Sequence, residues 1–157
     1  MAPRTSGRGM RGVGGEQGVR GADGANEARK SPRSRASAKK AGSSFERSTA
    51  DYLAAVVDDR IDRRVKNGSK DRGDIGGIRH MGGRVVLECK NAARINLAGW
   101  ATEAEIERGN DDALMGAIVH KRHGKGDPAE QWVTMTLADF AALLTGNRDH
   151  INQEEKT

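Results

Sequence analysis

The run Arg84-Val85-Val86-Leu87-Glu88-Cys89-Lys90 constrains the fold more than any other stretch of this 157-residue chain. It is β-branched and apolar enough to be an interior strand, yet it carries two charges near its end. Side chains alternate along a strand, so Arg84, Val86, Glu88 and Lys90 share one face while Val85, Leu87 and Cys89 share the other. Charged groups in a central strand are costly unless paired or bound to a metal, so the fold must supply partners for Glu88 and Lys90.

The surrounding pattern predicts the rest of a domain. Phe45, Thr49, Tyr52, Leu53, Val56 and Val57 follow helical spacing, giving a helix from Ser44 to about Asp59. A short strand over Ile61 to Val65 follows, then a charged, turn-rich loop over Asn67 to Gly73. Asp74 to Arg79 and Arg84 to Lys90 read as the arms of a hairpin around His80-Met81-Gly82-Gly83. Next come a helix from about Ala98 to Arg108, strands over Met115 to Lys121 and Gln131 to Met135, and a helix from Leu137 to Leu144 capped by Thr136. The order αβββαββα describes an α/β domain over residues 43–146, built on a mixed β-sheet flanked by helices. Residues 147–157 read as a frayed, flexible tail.

Charge divides the chain. Residues 1–42 hold ten basic and three acidic residues, a net +7, which leaves seventeen and nineteen, a net −2, for residues 43–157. The first segment also has nine of the 21 glycines and only Met1, Met10, Val13 and Val19 as large apolar residues. Such a composition cannot offset the entropy of ordering, so residues 1–42 are expected to be a disordered basic arm. Its cluster from Arg29 to Lys40 suits contact with phosphates. A single thiol, Cys89, excludes an internal disulfide and a thiolate-rich zinc site. No apolar run approaches the length of a membrane span, so neither membrane insertion nor secretion is expected. A cytoplasmic location is expected.

The chemistry gathers at the hairpin. Asp74 opens the strand beside Glu88 and follows Gly73, so its carboxylate can swing towards Glu88. Two carboxylates and the Cys89 carbonyl offer the oxygen ligands that magnesium prefers. Lys90 would sit where an ammonium neutralises charge growing on a phosphate. This set describes phosphodiester hydrolysis, although an edge strand with an ordinary Glu/Lys pair has the same spacing. Glu46 carries a competing assignment, since Ser43-x-x-Glu46 also reads as a capping box.

Three segments, GSSFERSTADYL around residues 43–53, NGSKDRGDIGGI at 67–78 and VVLECKN at 85–91, resemble the signature blocks of the archaeal-type Holliday junction resolvases. That family, with its phage-encoded relatives, belongs to the PD-(D/E)XK nuclease superfamily, and the similarity runs in order over roughly residues 42–145. The resemblance implies a restriction-endonuclease-like core and a homodimer that cuts branched DNA with Mg2+ or Mn2+. It implies Asp74 and Glu88 as metal ligands, Lys90 as the catalytic lysine, Glu46 as a further active-site carboxylate and Arg47 as its basic neighbour. Ser69 resembles a serine that acts near the scissile phosphate. Gly73 stands where the superfamily has its proline, and the interval from Ser69 to Asp74 is longer than in archaeal members.

Around this centre Arg63, Arg64, Lys70 and Arg72 could guide a DNA backbone, as could Lys121, Arg122 and Lys125 in the basic stretch from His120. His120-x-x-His123 lacks the companions a zinc site needs. Trp100 reads as core or dimer interface, and the Cys89 side chain as a small core residue. A four-way junction as substrate, another DNA nuclease activity of the same superfamily and a non-catalytic DNA-binding module remain open.

Overall fold

The computed structural model describes residues 34–66 and 68–149. A long helix, α1 (Arg35–Val56), precedes a short strand β1 (Asp62–Arg63). The strands β2 (Ile75–Gly76), β3 (Arg79–His80) and β4 (Gly83–Lys90) follow. Helix α2 (Leu97–Asn110) then crosses to β5 (Met115–His120), and β6 (Trp132–Thr134) and α3 (Leu137–Thr145) close the order. The sheet runs β1-β2-β4-β5-β6, with β3 extending the hairpin beside β4. The β4–β5 pair is parallel and the others antiparallel, so the fold is mixed α/β as expected.

The expected hairpin is present, but its first arm is broken in two. Gly77 adopts φ 84°, and a Cβ there would collide with the Arg60 carbonyl oxygen, so the strand bends between β2 and β3. Met81 and Gly82, both at positive φ, form the two-residue turn into β4. That turn fixes the register Arg79 with Arg84, while β2 pairs Ile75 with Leu87.

The alternation in β4 holds. Val85, Leu87 and Cys89 pack with Phe45 and Ala50 of α1, Ala142 of α3, and Ala117 and Val119 of β5. Behind the sheet a smaller cluster joins Trp100 and Ala104 of α2 to Ile118. Both faces of β4 and β5 are therefore covered, the usual setting for a parallel pair. Trp100 is core, as one of the two expectations had it.

Four expectations need correcting. The segment from Arg35 to Gly42, assigned to a disordered arm, is the beginning of α1. Ser34 caps it by accepting from the Ser37 amide at 3.2 Å, and alanines at 36, 38 and 41 favour the helix without requiring a core. Ser43 therefore lies mid-helix, and the capping box with Glu46 does not form. Arg148, assigned to the frayed tail, is tied to Asp139 at 2.7 Å and to the Leu114 carbonyl at 3.1 Å. His120 is buried, 2.9 Å from the Thr134 hydroxyl and against Trp100, so it is no part of a basic surface. The arm up to residue 33 and the tail from residue 150 lie outside the described residues.

Candidate active site

Asp74 is held at its position by backbone and side chain together. Its amide donates to the Leu87 carbonyl at 2.9 Å, and its Oδ2 accepts from the Cys89 amide at 2.9 Å. The preceding Gly73 has φ 85°, and a Cβ there would meet Val86 at 2.7 Å and the Leu87 carbonyl at 2.9 Å. This close crossing explains glycine where the resembled family has proline. The amide and carbonyl of one strand residue point to the same side, so the Cys89 carbonyl also faces the edge where Asp74 sits.

Glu88 projects from the α2 face of β4, with only 6% of its surface exposed. Its Oε1 accepts from Lys90 Nζ at 2.8 Å, and Lys90 also reaches Glu103 on α2. Burial pushes the Glu88 carboxyl up to about 8, and the negative charge of Asp74 adds to the rise, outweighing the Lys90 contact. Glu88 thus lies in the field of Asp74.

A third carboxylate, Glu107, stands one helical turn beyond Glu103, and its charge adds to the rise at Glu88. Burial first, then the charges of Asp71 and Asp74, raise its proton affinity, and its Oε2 is buried without a hydrogen-bond partner among the described residues. Sequence reasoning singles out neither Glu103 nor Glu107. A signal exists: both fall on the helical stripe that holds Trp100 and Ala104, where acidic residues need a reason to be.

Lys66 escapes sequence reasoning as well, because nothing in its neighbourhood marks it. Its Nζ lies 2.8 Å from Asp74 Oδ1. Burial opposes its charge, but the contact with Asp74, aided by the charges of Glu88 and Glu46, raises its proton affinity above that of free lysine. Glu46 itself is buried on α1 and held by Arg63. The Cys89 thiol is raised by its burial, then by the charges of Asp74, Glu88 and Glu46.

The other candidates divide. Ser69 sits in a single 3-10 turn (Gly68–Lys70), and its hydroxyl makes no hydrogen bond among the described residues. Its carbonyl is tied to Asn110 at the end of α2. Arg47 bridges Asp51 and Asp62, and Arg64 bridges the Arg72 carbonyl and the buried Asp111. Lys70 is exposed, and Arg72 lies 3.9 Å from Asp111 with its side chain largely in solvent. Together with Lys39 and Lys66, the arginines 47, 63 and 64 line an open groove of about 680 Å³ that contains Glu46. Lys121 lies over the Phe45 ring and bonds the Lys125 carbonyl, Arg122 stacks on Trp132 at 4.6 Å, and Lys125 pairs with Glu130 at 2.7 Å. The Lys121 amide bonds the Lys90 carbonyl, so this second basic cluster starts at the same end of the sheet.

Among the described residues no three acidic, imidazole or thiolate groups form a ready-made cation cage. What is present is an excess of carboxylate over ammonium: Asp74, Glu88, Glu103 and Glu107 against Lys66 and Lys90. One Glu107 oxygen is buried without a partner among the described residues, whereas Asp74 and Glu88 each already hold an ammonium, from Lys66 and Lys90. Asp74, Glu88 and the Cys89 carbonyl make up an all-oxygen donor set, the chemistry that a hard divalent ion would take. No protein-family model matches this chain, no curated protein matches its sequence, and no solved structure matches its fold.

Proposed function

We propose that the chain is a metal-dependent DNA endonuclease with a restriction-endonuclease-like core, of Holliday junction resolvase type. The observation that carries the proposal is buried Glu88, paired with Lys90 at the end of a central strand and lying in the field of buried Asp74, beside a groove lined by five cations. Asp74, Glu88 and the Cys89 carbonyl would hold Mg2+ or Mn2+, which when bound supplies Lewis acidity and a water of lowered pKa. The residues of the chain do the rest. The groove lays a phosphodiester backbone along Lys39, Arg47, Arg63 and Arg64. Lys90, shared between Glu88 and Glu103, brings an ammonium to the phosphate and offsets the charge that grows as water attacks and one P–O ester bond breaks. Glu46 keeps Arg63 oriented along the groove wall. Ser69 belongs to this proposal only through the family resemblance.

Branched DNA as the substrate rests on the same resemblance. Two such centres on one homodimer would suit the nicking of two opposed strands at a four-way junction.

The test is a cleavage assay with Mg2+ on a four-way junction beside linear, nicked and flap DNA. Cleavage of the junction that is lost in Asp74→Asn and Lys90→Ala, with DNA binding kept, is the expected result. Equal cleavage of all substrates makes the protein a general nuclease. DNA binding without cleavage in the presence of Mg2+ makes it a non-catalytic module, a reading favoured by the ammonium groups already seated on both carboxylates.

A further inference from the structure

Strand pairing carries the row that holds Lys90 on to the edge of the sheet. Lys90 pairs with His120 of β5, and His120 pairs with Trp132 of β6. Paired residues in a ladder share a face, so Lys90, His120 and Trp132 stand side by side on the α2 face, where His120 meets Trp100. At the usual strand spacing Trp132 is roughly 10 Å from Lys90.

Trp132 ends this row in solvent, 51% exposed on a strand with one neighbour, although an aromatic side chain contributes most when buried. The Arg122 guanidinium lies over its ring, 4.6 Å from the centroid, and has no acidic partner among the described residues. The neighbouring cations are engaged elsewhere. Lys125 pairs with Glu130, and Lys121 turns to the Phe45 ring on the opposite side of the sheet. Gln131 clamps the loop that carries Arg122 to the start of β6, accepting from the Arg122 amide at 3.0 Å and donating to the Asp127 carbonyl at 2.6 Å. Ring and guanidinium are thus held as one platform.

An exposed indole with an uncompensated guanidinium on it matches both halves of a nucleotide: the base offers a π-face to the ring, and the phosphate offers charge to the cation. An acidic peptide would answer the guanidinium and leave the ring bare. An apolar partner would cover the ring and bury the guanidinium without a counter-charge. A base inside a duplex is stacked on both faces and cannot reach the ring, so the complement is an unpaired one.

We propose that Trp132 and Arg122 form a stacking subsite for an unpaired nucleotide of DNA, within about three nucleotides, at about 3.4 Å each along a stacked strand, of the phosphate at Lys90. The subsite rests on the proposed nuclease reading for its place beside the cut and deepens that reading: the feature recognised is a strand that has left the duplex. Stacking itself needs no cleavage.

Binding of the full chain in chelator tests it, with three labelled probes: a blunt duplex, the same duplex with a short thymidine overhang, and the same overhang made of abasic nucleotides. The wild type should hold the thymidine overhang at least about fivefold more tightly than the abasic one. Trp132→Ala should lose that difference and Trp132→Phe should keep most of it. The thymidine overhang should quench tryptophan emission in the wild type and not in Trp132→Phe, because the remaining Trp100 is buried. Equal affinity of the wild type for the two overhangs overturns the subsite, whether or not the alanine variant folds, and so does an alanine variant that keeps the difference. Cleavage of branched DNA with Mg2+ would in either case leave the nuclease reading standing. A base-dependent difference without cleavage upholds the subsite and removes the nuclease, and binding to none of the probes overturns both.

Discussion

Glu88 should make the metal-free protein lose stability as pH rises, the reverse of what a salt-bridged carboxylate does. Its carboxyl titrates near 4.5 when the chain is unfolded and at about 8 when folded, because burial and the Asp74 charge penalise ionisation. A raised folded value means that the native state holds the proton more tightly. The stabilisation is then complete below the unfolded value and disappears as pH climbs through the folded one. Between pH 4.5 and 8 the slope approaches about 1.4 kcal/mol per pH unit, and the whole span is worth at most about 5 kcal/mol. Glu88→Gln keeps the shape and removes the titration. Urea unfolding of both proteins in chelator, at intervals from pH 5 to 9, should therefore show wild type falling while Glu88→Gln falls less and is the more stable of the two at pH 9. A wild-type stability that is flat or rising over this range would refute the argument, as would a Gln variant that is weaker than wild type at pH 9.

Two further outcomes follow from the same charges. Lys66→Met takes the counter-ion from buried Asp74, so it should lower the melting temperature in chelator and tighten Mg2+ binding measured by calorimetry; unchanged affinity would mean that Lys66 does not compete for the site. Deleting residues 1–33, which leaves the Ser34 cap of α1 in place, should weaken DNA binding and flatten its salt dependence by about 0.9 for every phosphate the arm neutralises. An unchanged slope in a binding titration would deny the arm any role in holding DNA.

What could be read from the sequence depended on how local its cause was. The strand Gly83–Lys90 and the cap at Thr136 come from neighbouring residues, so alternation and capping chemistry locate them to within a residue or two. The two faces of β4 were legible for the same reason. The start of α1 was not, because composition measures whether a segment can bury a core, whereas Arg35 to Gly42 needs only alanine and a cap to prolong a helix anchored further along. The break between β2 and β3 depends on Gly77 passing close to Arg60, a long-range contact with no local mark.

The site follows the same division, and this bears on how it works. Asp74, Glu88 and Lys90 could be placed together because a hairpin joins their strands, so short-range pairing brings them into register. Glu103 and Glu107 come from α2 and Lys66 from beyond the end of β1, and only the packing of the sheet between them decides that they meet. These distant residues set the balance of charge: two acids that deepen the negative field and one ammonium that answers it at Asp74. A pair of carboxylates on a hairpin could be an ordinary surface feature. The same pair beside half-buried Glu107, one of whose oxygens is buried with no partner among the described residues, is a costlier arrangement, and this is the ground on which a cation is proposed there. Under the proposed function, the residues that the motif does not contain are what would separate a cation-binding centre from a polar edge strand.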